Sequence, residues 1–130
     1  KDFKAIIKKK LKEMPSRKIV VFTEFSDTAS YLFEQLKDDF RVFKYSSSDS
    51  SVYNKLTLKR NFDAGIKQDQ QLNDFDILVA TDAISEGFNL HRAGIVFNYD
   101  IPYNPTRVIQ RVGRINRINK KVFNELFIYN

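Results

Sequence analysis

The chain has 130 residues, a formal net charge of +6, 42% hydrophobic residues, no cysteine and one histidine. That length suits one domain with a three-layer core, and the apolar share is ordinary for a globular protein. Without cysteine there is no disulfide or thiolate metal site, which fits a cytoplasmic chain; one His and no Cys argue against a zinc site, and the absence of a long apolar run or signal-peptide pattern argues against a membrane partner.

Residues 2–13 read as an amphipathic helix with Phe3, Ile6, Ile7 and Leu11 on one side, stopped by Pro15. The net charge sits here. Residues 1–18 hold eight basic and two acidic side chains, while residues 19–130 hold fourteen of each and sum to zero. Such a helix can lead into the domain with no ligand at all, or its lysines can touch phosphates. Residues 18–23 form a β-branched run, the sign of a strand buried on both faces. Ser26-Asp27 offers an N-cap for a helix to about Lys37, with Ala29, Leu32, Phe33 and Leu36 as its buried stripe.

Arg41 to Tyr45 reads as a short strand, followed by a serine-rich loop around Asp49. Tyr53 to Ala64 is helical, with Gly65 ending it. Residues 66–74 form a polar, Gln-rich loop. Ile77–Thr81 and Gly94–Tyr99 are further strands, separated by a loop over 83–90. Pro102 and Pro105 bracket a turn before a basic helix, and Val122 to Tyr129 is a fifth strand. The chain starts within a helical pattern without Met and ends on an apolar stretch. It reads as a single domain, 1–130, excised from a longer protein.

Residues 110–117 carry the sharpest chemical signal: Gln110-Arg111-Val112-Gly113-Arg114-Ile115-Asn116-Arg117. At about 100° per residue, Gln110, Arg111, Arg114 and Arg117 fall within roughly 80° of Arg107, with Val108, Ile109, Val112 and Ile115 on the other side. One face can bury against a sheet while the other displays planar, permanently charged groups matched to phosphate oxygens. A basic helix face is often simply solvated. Against that, segment 105–121 has six basic and no acidic residues, whereas solvated faces mix signs. Gly113 also costs a helix interior about 1 kcal/mol, which a plain surface helix has no reason to bear.

Alternating strands and helices predict an α/β fold of three layers, a mostly parallel central sheet flanked by helices. Ligands in such sheets sit beyond the strand carboxyl ends. The loops expected there are 23–27, 46–51, 81–90 and 100–106.

Three ordered motifs resemble those of one family. Ile19-Val20-Val21-Phe22-Thr23-Glu24-Phe25 is similar to motif IV of superfamily two helicases and translocases. Ile77-Leu78-Val79-Ala80-Thr81-Asp82 with Ser85-Glu86-Gly87-Phe88-Asn89-Leu90 looks like motif V, and Gln110 to Arg117 like motif VI. The resemblance covers roughly residues 15 to 118 and implies the second, C-terminal RecA-like domain. Asp100-Ile101-Pro102-Tyr103-Asn104-Pro105 is similar to the Swi/Snf-type and RapA-like members. Their usual Arg-Ile-Gly-Gln continuation is replaced here by Arg117-Ile118-Asn119-Lys120. The initial His usual in DEAD-box proteins is replaced by Gln110.

The resemblance implies that Arg114 and Arg117 act as arginine fingers on ATP bound by a partner domain. Gln110, Arg111, Gly87 and Asn89 would complete the ATP-facing surface, and Thr23 and Thr81 would touch a nucleic-acid backbone. It implies ATP with Mg²⁺ as cofactors. The implied partners are the N-terminal RecA-like domain of the same protein and nucleic acid, with duplex DNA favoured over RNA. A Thr hydroxyl after a strand can equally cap the next turn. The chain has no phosphate-cradling G-x-x-x-x-G-K-[ST] loop and no Asp-Glu pair after an apolar strand, so alone it is not expected to hydrolyse ATP. Two other classes remain open. One is a stand-alone nucleic-acid binding module without an ATPase role. The other is a flavodoxin-like nucleotide-binding regulator, which would want a Gly-rich turn where Thr23-Glu24-Phe25-Ser26-Asp27 stands.

Overall fold

The structure, a computed structural model, describes residues 2–13, 18–49, 51–63, 66–81, 90, 92–100 and 127–129. In chain order these form α1 (Asp2–Glu13), β1 (Lys18–Thr23), α2 (Ser26–Leu36), β2 (Val42–Tyr45), α3 (Val52–Phe62), β3 (Ile77–Thr81), β4 (Ala93–Asn98) and β5 (Phe127–Tyr129). Short 3₁₀ turns occupy Ser47–Asp49 and Gln68–Gln70. The strands make one sheet in the order β2-β3-β1-β4-β5, with every pairing parallel. The three-layer α/β expectation holds.

Topology follows from handedness. The crossover through α2 runs outward from β1 to β2, and the one through α3 returns from β2 to β3. Crossovers of one hand running in opposite directions must put their helices on opposite faces. Side chains alternate accordingly. Ile19, Val21, Ile77, Val79, Ile95 and Phe97 pack with α2 residues Ala29, Leu32 and Leu36, and with Ile7 of α1. Val20, Phe22, Leu78, Ala80 and Val96 pack with Leu58 and Phe62 of α3. Strands β1, β3 and β4 are buried throughout, as their unbroken apolar runs require.

Two helix starts differ from the sequence expectation. Phe25 is the N-cap of α2, and it makes no side-chain cap bond; Ser26 already lies within the helix. The hydrophobic stripe on α2 fixes its rotation and carries the chain into helix one residue early. α3 starts at Val52 rather than Tyr53 because Ser51 caps it, its hydroxyl accepting from the Asn54 amide at 3.1 Å. α3 ends at Phe62, with Asp63 in extended backbone as its C-cap, so the helix stops two residues short of the expected Ala64 end and Gly65 does not terminate it; residues 122–126 of the predicted last strand lie outside the described residues. Phe25 is 57% exposed and leaves a cap position without a polar acceptor. Phe25→Ser should therefore stabilise the domain by about 0.5–1 kcal/mol, the gain from capping exceeding the small apolar loss. Denaturant titration checks this, and a lower midpoint would show that the ring contributes more than its exposure suggests.

The loop that the sequence presents as polar and Gln-rich is fastened to the sheet's amino edge. Four basic side chains from separate parts of the fold donate to its carbonyls. Arg60 Nε reaches Gln70 O at 2.7 Å, Arg92 Nη1 reaches Leu72 O at 2.7 Å, and Arg41 Nη1 reaches Asn73 O at 2.8 Å. Lys18 Nζ donates to Phe75 O and, at 2.7 Å, to Asn73 Oδ1. An irregular segment with no ladder partner thus has its acceptors satisfied by cations. Asn61 adds an acceptor for the Asp74 amide at 2.7 Å.

Lys18 is buried over the Phe62 ring, and desolvation, aided by nearby Arg92, lowers its pKa from 10.5 to about 8. Between these values the unfolded chain binds more protons than the folded one, so stability rises with pH across that window. Below about 8 both states are charged and the burial cost is fully present. The difference in Tm between the parent chain and Lys18→Met should shift in the parent's favour from pH 8 to 10.5. A pH-independent difference would show that Lys18 titrates alike in both states.

Candidate functional site

Parallel strands end at one edge, and here they place two of the expected residues, Thr23 and Thr81, side by side. Thr23 closes β1 and Thr81 closes β3, and the two are register partners on adjacent strands. β4 ends on the other side of β1, at Asn98, followed by Tyr99 and Asp100. Segment 82–89, with Gly87 and Asn89, follows β3 in sequence. Segment 101–117, with Gln110, Arg111, Arg114 and Arg117, follows β4. Those six residues lie outside the described residues. The strands that lead to them end at a common edge, flanking β1.

Asp100 fastens that edge. Its carboxylate accepts from the Thr23 hydroxyl and, at 2.9 Å, from the Glu24 amide. Thr23 Oγ1 also accepts from the Phe25 amide at 3.3 Å, and the Tyr99 amide donates to Phe22 O at 2.9 Å. Thr23 has no accessible surface and Thr81 has 4%. The Thr23 hydroxyl therefore closes the turn into α2, the capping alternative that its position allows. Asp100 is the residue that sequence reasoning passed over. An acid just beyond an apolar strand was visible, but its partner is 77 residues away, and no local pattern announces such a pairing.

A second polar cluster lies beyond β2. Burial opposes ionisation of Asp49, yet hydrogen bonds from Lys44 and Ser46 outweigh it and hold the carboxyl below its ordinary range. Lys44 Nζ donates at 2.6 Å, the Ser46 hydroxyl at 2.7 Å and the Ser46 amide at 2.9 Å. Asn54 of α3 donates to Asp49 O at 2.9 Å. This cluster fixes the serine-rich turn against the start of α3. Among the described residues no group of three or more His, Asp or Glu side chains forms a metal cage. No described helix is long and apolar enough to cross a membrane.

A parallel α/β sheet in the order β2-β3-β1-β4-β5 is the architecture of RecA-like helicase domains, and the solved neighbours share it. Residues 2–119 match the helicase conserved C-terminal domain, and the chain belongs to that family, within helicase superfamily two. It is 34% identical over 113 residues to the uncharacterized ATP-dependent helicase YqhH of Bacillus subtilis, a match covering 87% of this chain and 18% of that protein. It is 33% identical over 93 residues to the DEAD-box ATP-dependent RNA helicase 15 of Arabidopsis thaliana, covering 62% of this chain and 22% of that protein. The crystal structure of the Pyrococcus furiosus Hef helicase domain superposes with a TM-score of 0.67 at 26% identity, covering 98% of this chain and 24% of that one. The chain thus spans about a fifth of the length of the curated relatives it matches. A DEAD-box protein stands among the relatives, so the membership reaches the superfamily and does not single out the Swi/Snf-like branch.

Proposed function

We propose that the chain is the second motor domain of an ATP-dependent helicase or translocase. In this reading a first RecA-like domain binds ATP and most of the Mg²⁺ coordination, and the present domain closes on it. Arg114 and Arg117 supply positive charge to the γ-phosphate as charge redistributes in phosphoryl transfer. Gln110, Arg111, Gly87 and Asn89 complete the nucleotide-facing surface. Closure and reopening step the pair along nucleic acid. Thr81 and Thr23, at the ends of adjacent strands, serve the track's backbone, and Asp100 keeps the turn after Thr23 in shape.

The observation that carries this reading is the common edge. β3 and β4, which lead into the motif V and motif VI segments, end beside β1, where Asp100 bonds to Thr23 and Glu24. A stand-alone binding module would have no use for a Gly, an Asn and two arginines at the spacing found in those segments.

We propose duplex DNA as the preferred track, on the strength of Asn104-Pro105 and of Gln110 at the head of the motif VI segment. A duplex tracker grips two backbones, and this domain serves one of them. In the protein that joins both motor domains, ATP turnover should rise more with duplex DNA than with single-stranded DNA or RNA. Stimulation by RNA alone would reject the duplex-DNA track and leave the motor assignment standing. No response to any nucleic acid would reject the motor assignment itself.

A further inference from the structure

The chain's entire net charge lies in residues 1–18, and the remainder is balanced. Within α1 the charge is not evenly neutralised. Lys4 is ion-paired to Asp39, and Lys10 to Glu13 at 3.8 Å. Lys8, Lys9 and Lys12 are exposed and have no acidic partner among the described residues. These three fall within about 100° of one another on the helix, and Lys8 and Lys12 are separated by one turn, roughly 6 Å. The opposite side of α1 is occupied: Ile7 is fully buried in the sheet core, with Phe3 and Leu11 packed beside it.

The helix is also tied to the functional edge. The Phe3 ring meets Tyr99 edge-on at 5.4 Å and Phe97 at 5.5 Å, and Tyr99 directly precedes Asp100. The contact with Tyr99 fixes the start of α1, and Lys8, Lys9 and Lys12 follow five to nine residues further along the helix, on its outer face.

We propose that Lys8, Lys9 and Lys12 form a second phosphate-contacting surface, outside the helicase motifs, that holds a nucleic-acid backbone on the outer face of α1. This rests on the nucleic-acid motor reading above. The ligand is the phosphodiester backbone, which DNA and RNA share, and the surface carries no base readout. Three exposed like charges on one helix face repel one another. A polyanion relieves that repulsion and gains the release of its own counterions.

The test uses this 130-residue chain, labelled duplex DNA and RNA of the same sequence, and affinities measured across a salt series. Lys8→Gln/Lys9→Gln/Lys12→Gln alters exposed positions and should leave the melting curve in place. Each lost contact removes about 0.9 from the salt slope on duplex DNA and about 0.7 on a single strand. The triple variant's deficit should therefore shrink by roughly 20- to 40-fold between about 50 and 200 mM salt. A deficit on both probes identifies the shared backbone, and a deficit on one assigns the surface to that polymer. Lys55→Gln/Lys59→Gln, on the opposite face, is the control. An equal loss of slope per charge there would mean that net charge alone is responsible and would overturn the proposal. So would unchanged nucleic-acid affinity in the triple variant, including the case where it loses binding to phosphatidylserine vesicles instead. Failure of the parent chain to bind either probe would also overturn the proposal, while the motor reading stands or falls on the ATP turnover of the joined protein.

Discussion

In a protein that joins this chain to its first motor domain, Arg114→Ala should lower kcat by about 10³–10⁵, the range over which an arginine finger acts in phosphoryl transfer. Guanidinium at this position would act on charge that develops in the transition state, so its loss should appear in kcat more than in KM. Arg117→Ala should act in the same direction. Nucleic-acid affinity and its salt slope should change little in either variant. Single-turnover ATP hydrolysis, measured beside nucleic-acid titrations at two salt concentrations, separates the roles. A variant that hydrolyses normally but loses affinity with a shallower salt slope would make that arginine a backbone contact instead.

The largest expected effect on stability comes from the layer under α3. Leu58 and Phe62 are fully buried and bring α3 to the sheet. The Phe62 ring also lies 5.5 Å below the Lys18 ammonium, and its carbonyl accepts from the Arg92 amide at 3.0 Å. Phe62→Ala should cost about 3–5 kcal/mol through lost burial and the remaining cavity. That is a large share of the net stability of a domain this size, and Tm should fall by more than about 10 °C. Val52→Ala, at a position 85% exposed on the same helix, should fall within about 0.5 kcal/mol of the parent. Similar losses at both positions would mean that the helix is held by its outer face. Chemical denaturation of the two variants checks this.

What the sequence conveyed, and what it withheld, divides along physical lines. Strands β1, β3 and β4 were legible because burial on both faces demands unbroken apolar runs, and Lys18–Thr23 and Ile77–Thr81 supply them. Their convergence at one edge was legible because alternating strands and helices force a parallel sheet. The motif segments stood out because their arginine and glycine spacing matches what phosphate recognition would need. The Asp100 clasp and the fastening of loop 66–76 were not legible. Each joins residues remote in sequence, and hydrogen bonds of that kind have no period. Phe25 misled for a related reason: the preference for Ser or Asp at an N-cap is worth about 1 kcal/mol, and the buried stripe of α2 outweighs it. Thr23 admitted two readings, and the carboxylate of Asp100 gives its hydroxyl a structural role that local sequence could not reveal.

The central claim is that this domain completes an ATPase that it cannot form alone. The most direct measurement is ATP turnover by the isolated 130-residue chain, beside a thermal melt and with duplex DNA and RNA present in separate reactions. The account predicts a cooperative melt with no turnover under any of these conditions. Measurable hydrolysis that disappears in Arg114→Ala would contradict it, because the chain would then hold a complete ATPase site of its own.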